Sequence, residues 1–338
     1  MKKVVMGRTG LEVPQLAFGA LPIQRVPMPD AVRLIRKALS EGIRLFDTAR
    51  AYSDSEAKLG EALGKERHSV IVATKTMAKD ARTAREHLET SLRNLRTDYV
   101  DIAQLHNADS VPDPSDAATA YAALCSARRE GLVRFVGLTT HRLTVAREAA
   151  KSSLFDTIQF PLSHISSEDD ISLIELCKAR GVGLIAMKAL CGGLLTNARA
   201  AFAFFRQFDS VVPIWGIQLE RELDEFVSLE RDPPELDENL RRTIEQDQAQ
   251  LAGSFCRGCG YCLPCPSEIP IPMAARMGFL LERAPYQHFL SDEWKGLMGR
   301  IRDCTHCGAC ATRCPYGLDT PTLLEHMLKK YESFALAH

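Results

Sequence analysis

The sequence predicts an α/β barrel of eight parallel strands followed by a small all-α domain. Three observations carry this. Over residues 1–230 short apolar runs alternate with amphipathic stretches of helical period, the pattern of parallel strands joined by crossover helices. The apolar runs number eight, the count at which such a sheet closes on itself. Beyond Pro233-Pro234, a double proline that ends the last of these helices, only helical periodicity and cysteines remain.

Taken in order, a turn at Gly10 closes an N-terminal hairpin. The strand candidates follow as Gln15–Gly19, Ile43–Asp47, Val70–Lys75, Tyr99–His106, Val133–Thr139, Thr157–Phe160, Gly183–Lys188 and Val211–Gly216. Helical patterns between them include Asp30–Ser40, Ala81–Leu95, Ala117–Glu130, Leu143–Ala150, Asp169–Arg180 and Glu220–Leu229. Residues 1–230 therefore read as a (β/α)8 TIM barrel, 231–236 as an exposed linker, and 237–338 as the second domain. In that domain Asp237–Leu251 is a polar amphipathic helix, and Met273–Arg283 and Ser291–Arg302 are helical candidates.

Composition bounds the function. With 338 residues, 46% hydrophobic, 25% charged and a net charge of -1, the chain reads as a soluble protein with no basic face for nucleic acid or an anionic membrane. The N-terminus MKKVVMGRTGLEVPQ has no apolar signal region, and no apolar run approaches a membrane span. The expected location is cytoplasmic, where thiols stay reduced.

Eight of the eleven cysteines fall in two groups, Cys256, Cys259, Cys262 and Cys265, then Cys304, Cys307, Cys310 and Cys314, each ending in Cys-Pro. The second, CTHCGACATRCP, has the C-x2-C-x2-C-x3-C-P spacing of a two-cluster bacterial ferredoxin, in which three thiolates hold one cluster and the fourth reaches the other. Two groups imply two 4Fe-4S clusters. The first, CRGCGYCLPCP, has one residue fewer before its last cysteine, so the spacing does not fix the place of Cys265. A zinc ribbon or a disulfide framework leaves the third and fourth cysteines of each group unexplained. No alternating strand pattern accompanies the groups, so the domain is expected to be a helical ferredoxin-like one. Of the other cysteines, Cys125 and Cys177 read as small buried hydrophobes, and Cys191, in a Gly-rich turn, is left open.

Barrel chemistry sits at the C-terminal ends of strands. There lie Asp47 and Tyr52 in FDTARAY, Lys75 in VATKT and His106 in QLHN. Singly each has an ordinary reading as a helix cap, a packed ring or a core histidine. Together, on successive strand ends, they resemble the aldo-keto reductase superfamily, whose catalytic tetrad is an Asp, Tyr, Lys and His in this order. The resemblance spans about residues 1–230, including GRTGLEVPQLAFGAL, and with the cysteine groups it is similar to the ferredoxin-fused branch of that superfamily. It implies Tyr52 as the proton donor to a carbonyl accepting hydride, with Lys75 lowering the phenol's pKa, Asp47 holding Lys75, and His106 orienting the substrate oxygen.

The resemblance also implies a nicotinamide site, NAD(P)H, with departures. Gln159 matches the family's carboxamide-binding Gln, but the expected Ser-Asn pair reads Thr139-Thr140, followed by His141. The ring-stacking aromatic reads Met187, and Leu190 of the same AMKALCGG segment completes the candidate contacts. In WGIQLERELDEF, Glu222 stands where a phosphate-gripping arginine is expected and Phe226 where an adenine-contacting Asn is expected, with Arg221 adjacent. The plain alternative makes these solvated helix residues. Lys188 and His141, at strand ends, could face an anionic ligand or simply be solvated.

Electron counting adds a constraint. A hydride carries two electrons together and a cluster passes one, so joining the halves needs a group that splits pairs, such as a flavin, or a stabilised substrate radical. The functional expectation is an iron-sulfur oxidoreductase acting on a small carbonyl or alcohol, with clusters exchanging electrons with a ferredoxin-like partner. The alternatives are a redox sensor or electron carrier whose barrel is a binding module, and a nicotinamide-dependent reductase with structural clusters.

Overall fold

A computed structural model of the chain describes residues 2–251, 255–283 and 286–338. By its internal packing the chain divides into two compact units, Met1–Ala189 with Ala198–Arg241, and Leu190–Asn197 with Arg242–His338.

In the first unit β1 (Lys3–Val5) and β2 (Glu12–Pro14) form an antiparallel hairpin. Eight parallel strands then close a barrel: β3 (Ala17–Gly19), β4 (Leu45–Asp47), β5 (Ile71–Thr76), β6 (Val100–Leu105), β7 (Val133–Thr139), β8 (Thr157–Pro161), β9 (Gly183–Met187) and β10 (Val211–Gly216). All eight expected strands are present, and β10 pairs with β3 so that no edge is left open. The helices are α1 (Met28–Ser40), α2 (Ser55–Leu63), α3 (Ala81–Leu95), α4 (Ala120–Arg129), α5 (Leu143–Ser152), α6 (Glu168–Ala179), α7 (Ala198–Arg206) and α8 (Glu220–Arg231).

The hairpin plugs one end of the barrel. Val4, Met6, Leu11 and Val13 pack against Ala17, Leu45, Ala73, Ile102, Ile185 and Val212 in one buried cluster. Each fully buried Val or Met of the plug contributes about 1.5–3 kcal/mol. Gly7 lets the hairpin lie this close: its φ is +51°, and a Cβ there would stand 2.5 Å from the Gly181 carbonyl oxygen. Strand register sets the opposite rim, aligning Asp47 with Gly19 and Ala73, Lys75 with Gln104, and Thr139 with Gln159.

Helix α9 (Glu238–Gln250) begins in the first unit and continues into the second, which also carries α10 (Ile271–Ala274), α11 (Met277–Arg283), α12 (Asp292–Gly299), α13 (Ala309–Thr312) and α14 (Thr320–Ala337). No strand occurs among its described residues, as a helical domain requires. The single helix expected over Met273–Arg283 is two. At the break the Arg276 amide takes the tighter bond to the Met273 carbonyl while its Nε donates to the Pro272 carbonyl at 2.9 Å. Among the described residues no helix is long and apolar enough to cross a membrane.

Candidate active site and cysteine clusters

The tetrad candidates gather at one rim of the barrel. Asp47 ends β4, Lys75 is the next-to-last residue of β5, and His106 follows β6. Lys75 Nζ donates to both carboxylate oxygens of Asp47 at 2.7 Å and to the Thr48 carbonyl at 2.6 Å, and both side chains are buried. The loop between β4 and α2 carries Tyr52 over this pair, with Lys75 Nζ 5.3 Å from the ring centroid. The Tyr52 and His106 rings meet edge to face at 5.8 Å. That loop is pinned: the Thr48 and Ser55 hydroxyls share a 2.9 Å bond, Ser55 donates to the Ala20 carbonyl, and the Arg50 amide donates to the Lys75 carbonyl.

The electrostatics differ from expectation at Tyr52. An ammonium has three donors, and Lys75 spends all three on Asp47 and Thr48. Burial, and then the Asp47 carboxylate, push the Tyr52 phenol above its ordinary value rather than below it. Burial raises the Asp47 carboxyl and lowers the Lys75 ammonium, and their contact opposes both shifts. Burial, then Lys75, pushes His106 down to about 3, so its imidazole is neutral near pH 7.

Two groups that the sequence did not single out belong here. Gln104 donates to Gln159 at 3.0 Å, and Gln159 donates a long 3.4 Å bond to Asp47. Gln104 lies two residues before His106 on the same strand, so alternation could have found it. Glu56, fully buried on α2, accepts from Thr74 at 2.7 Å and from Asn94 at 3.2 Å, and its charge supports Lys75. In a helix of ordinary polar residues it gives no sequence signal.

The cofactor candidates are less of a piece. Gln159 is drawn toward Asp47, and the Thr139 hydroxyl accepts from the Asn107 amide at 2.9 Å. Met187 ends β9 at the same rim. Leu190 falls with the second unit. Glu222 is no solvated residue: its carboxylate accepts from the backbone amides of Gln218 and Leu219 at 2.8 and 3.0 Å, capping α8. Phe226 is buried and packs on Trp215, centroids 4.8 Å apart, so the solvated reading is wrong for it too. His141 is likewise buried rather than a solvated strand end, and Lys188 has a positive φ of 62°.

The cysteines of the second unit line two cavities. Cys256, Cys259 and Cys262 share one with Cys314, whereas Cys304, Cys307 and Cys310 share the other with Cys265 and an edge of Cys262. Each cavity thus takes a triplet from one motif and the Pro-flanked cysteine of the other, the crossing that two-cluster ferredoxin spacing calls for. Four soft sulfur donors around a cavity suit an iron-sulfur cube. Among the described residues no three His, Cys, Asp or Glu side chains close on a single ion. Of the remaining cysteines, Cys177 is buried, Cys125 half-buried rather than buried, and Cys191 buried with φ 49°.

Comparison with known proteins agrees with these two halves. Residues 15–213 match the aldo/keto reductase family, and residues 255–319 match a 4Fe-4S dicluster domain. The chain is 32% identical over 211 residues to L-galactose dehydrogenase of Arabidopsis thaliana, covering 57% of this chain and 66% of that protein. It is 29% identical over 216 residues to aldo-keto reductase YhdN of Bacillus subtilis, covering 58% and 64%. It therefore spans about two thirds of the length of these relatives. Among solved structures, aldo-keto reductase AKR11C1 from Bacillus halodurans superposes with a TM-score of 0.64 at 23% identity, over 73% of this chain and 96% of that one. An aldo-keto reductase from Klebsiella pneumoniae in complex with NADPH gives 0.62 at 18% identity, over 73% and 95%. These two likenesses show the fold.

Proposed function

Because the chain belongs to the aldo/keto reductase family and carries a 4Fe-4S dicluster domain, we propose that it is an oxidoreductase that interconverts a small carbonyl and its alcohol, with Tyr52 as acid/base and the clusters relaying single electrons. The observation that carries the reading is the buried Asp47–Lys75 pair beneath Tyr52, with His106 against the same ring.

Carbonyl reduction develops alkoxide charge, which a proton donor within reach must quench. A phenol held above its ordinary value stays protonated across the neutral range, so Tyr52 is loaded as the acid. Neutral His106 donates one ring N–H to the substrate oxygen and fixes its position. Lys75 acts through its field, since its donors are engaged, and Asp47 and Glu56 keep it charged and in place.

A nicotinamide held at this rim would supply the hydride, and Met187 and Gln159 are the residues that would hold its ring and carboxamide. The residues fit its ring and carboxamide: Met187 offers a flat apolar contact, and the 3.4 Å bond of Gln159 to Asp47 is weak enough to be exchanged for the amide. They fit a 2'-phosphate poorly, because Glu222 already neutralises the amides at the start of α8. That observation favours a second reading, in which electrons arrive through the clusters from a ferredoxin-like protein. We assign Cys256, Cys259, Cys262 and Cys314 to one cluster and Cys304, Cys307, Cys310 and Cys265 to the other.

Anaerobic protein with intact clusters, treated with NADH or NADPH while the visible cluster absorbance is followed, separates the two. Bleaching by a nicotinamide supports shared electrons within the chain; bleaching only by a reduced ferredoxin supports the second reading. Turnover of Tyr52→Phe equal to that of the unmodified protein would sink both.

A further inference from the structure

The two cysteine-lined cavities are electrostatically unequal. Arg276 is buried, and it bonds only neutral groups: the Pro272 carbonyl at 2.9 Å, the Gly192 carbonyl at 3.5 Å and the Met273 sulfur at 3.4 Å. Among the described residues no carboxylate pairs with it. Its Cζ stands 3.0 Å from the place a Cβ on Gly258 would take, between Cys256 and Cys259, and it is close enough to Cys256 and Cys191 to feel their charge. Arg257 lines the same cavity, held over the Tyr316 ring at 4.4 Å and the Phe255 ring at 5.1 Å. The Gly258 amide also points at Cys256 Sγ, 3.3 Å away.

Among the described residues nothing comparable lines the other cavity. Its walls are apolar or neutral apart from the exposed His306. Two arginines bond residues beside it: exposed Arg313, on the Pro264 carbonyl at 3.3 Å, and Arg300, on the Glu268 carbonyl at 3.1 Å and paired with the Glu268 carboxylate at 3.4 Å. One is screened by water and the other offset by its partner. Cys307 itself is exposed.

We infer that Arg276, with Arg257, raises the reduction potential of the cluster at Cys256, Cys259, Cys262 and Cys314, so that electrons enter at the exposed cluster and settle on the arginine-lined one. Cluster potentials respond to nearby charge, hydrogen bonds to sulfur and exposure. A four-thiolate cluster is anionic and gains a further negative charge on reduction, so a fixed guanidinium, which does not deprotonate, favours the reduced form. Burial of the thiols acts the other way, but a buried guanidinium packed against Gly258, between Cys256 and Cys259 in the chain, acts at short range in a medium poor in water and outweighs it. Each transfer moves one electron: the exposed cluster is oxidised, the arginine-lined cluster is reduced, and no bond or proton changes hands. The first electron comes from a one-electron protein carrier, and from dithionite in the test. Arg276 is thus a tuning residue that touches no substrate.

The inference rests on the ligand sets proposed above, and a redox titration of the full chain followed by paramagnetic resonance keeps the two apart. Iron and sulfide sufficient for only one cluster would overturn the ligand sets, and the inference with them. With two clusters present, Arg276→Met lowers the more positive midpoint and leaves the other where it was, and Arg276→Lys restores most of the shift. Movement of both midpoints together, of the more negative one alone, or of neither overturns the inference. If Arg276→Met does not assemble both clusters, Arg257→Met gives the same readout, with the same outcomes deciding.

Discussion

Lys75 holds Asp47 by two bonds of 2.7 Å, both side chains buried at the barrel rim, and spends its third proton on the Thr48 carbonyl. The ammonium is therefore a fixed charge 5.3 Å from the Tyr52 ring centroid with no donor left for the phenol. In the proposed reading this separates proton donation, assigned to Tyr52, from the maintenance of charge beneath it.

Tyr52→Phe keeps the ring and removes the proton. Turnover should fall by about 10²–10⁴-fold, the range for a general acid, while the visible spectrum of the clusters is unchanged. Steady-state rates and absorbance spectra on one preparation check it.

Lys75→Met leaves Asp47 buried without its cation. Removing one partner of a buried pair costs about 3–5 kcal/mol, so denaturant unfolding should move to markedly lower concentration. The double variant Lys75→Met with Asp47→Leu should recover much of that stability but none of the activity.

Asp101, fully buried on β6, accepts from Arg67 at 2.9 Å, from Arg134 at 2.7 Å and from the Val72 amide at 3.0 Å, near the plugged end of the barrel. Asp101→Ala should cost about 3–5 kcal/mol in unfolding free energy by the same reasoning. The fraction that folds should turn over normally, which distinguishes a structural carboxylate from Asp47.

His106 gives an acid-side signature. Its folded value, about 3, lies below the unfolded value of ~6.5, so between those limits the unfolded chain binds a proton that the folded chain does not. Stability contributed by neutral His106 is present above pH ~6.5 and is lost as pH falls toward 3. In His106→Gln the slope of unfolding free energy against pH should flatten in that window.

Cys265→Ala tests the crossing of ligands. The variant should disturb the cluster bound by the distant triplet Cys304, Cys307 and Cys310 and spare the one bound by its sequence neighbours. Paramagnetic resonance with iron quantification distinguishes the two.

Much of this was legible in the sequence. Eight apolar runs became eight strands because strands buried on both faces leave little room for polar interruption. The strand-end positions of Asp47, Lys75 and His106 followed from the same count. What local pattern could not supply was partnership. Glu56 reads as any surface helix residue, and only the packing of α2 against α3 buries it beside Thr74 and Asn94. The direction of the Tyr52 shift comes from burial and then from the Asp47 carboxylate, an environment that no motif encodes. Helix α10 parts from α11 because one arginine folds back on its own backbone.

The loop Leu190–Asn197 follows the seventh barrel strand in the chain, yet it packs with the C-terminal cysteine-bearing residues, where Arg276 reaches the Gly192 carbonyl. The boundary between the halves is thus drawn in space and not at one point in the gene. A chain cut after Arg241 would keep this loop and lose the residues that shape it. Grafting the C-terminal segment onto another barrel would transplant the cysteines but leave eight residues of their own unit behind.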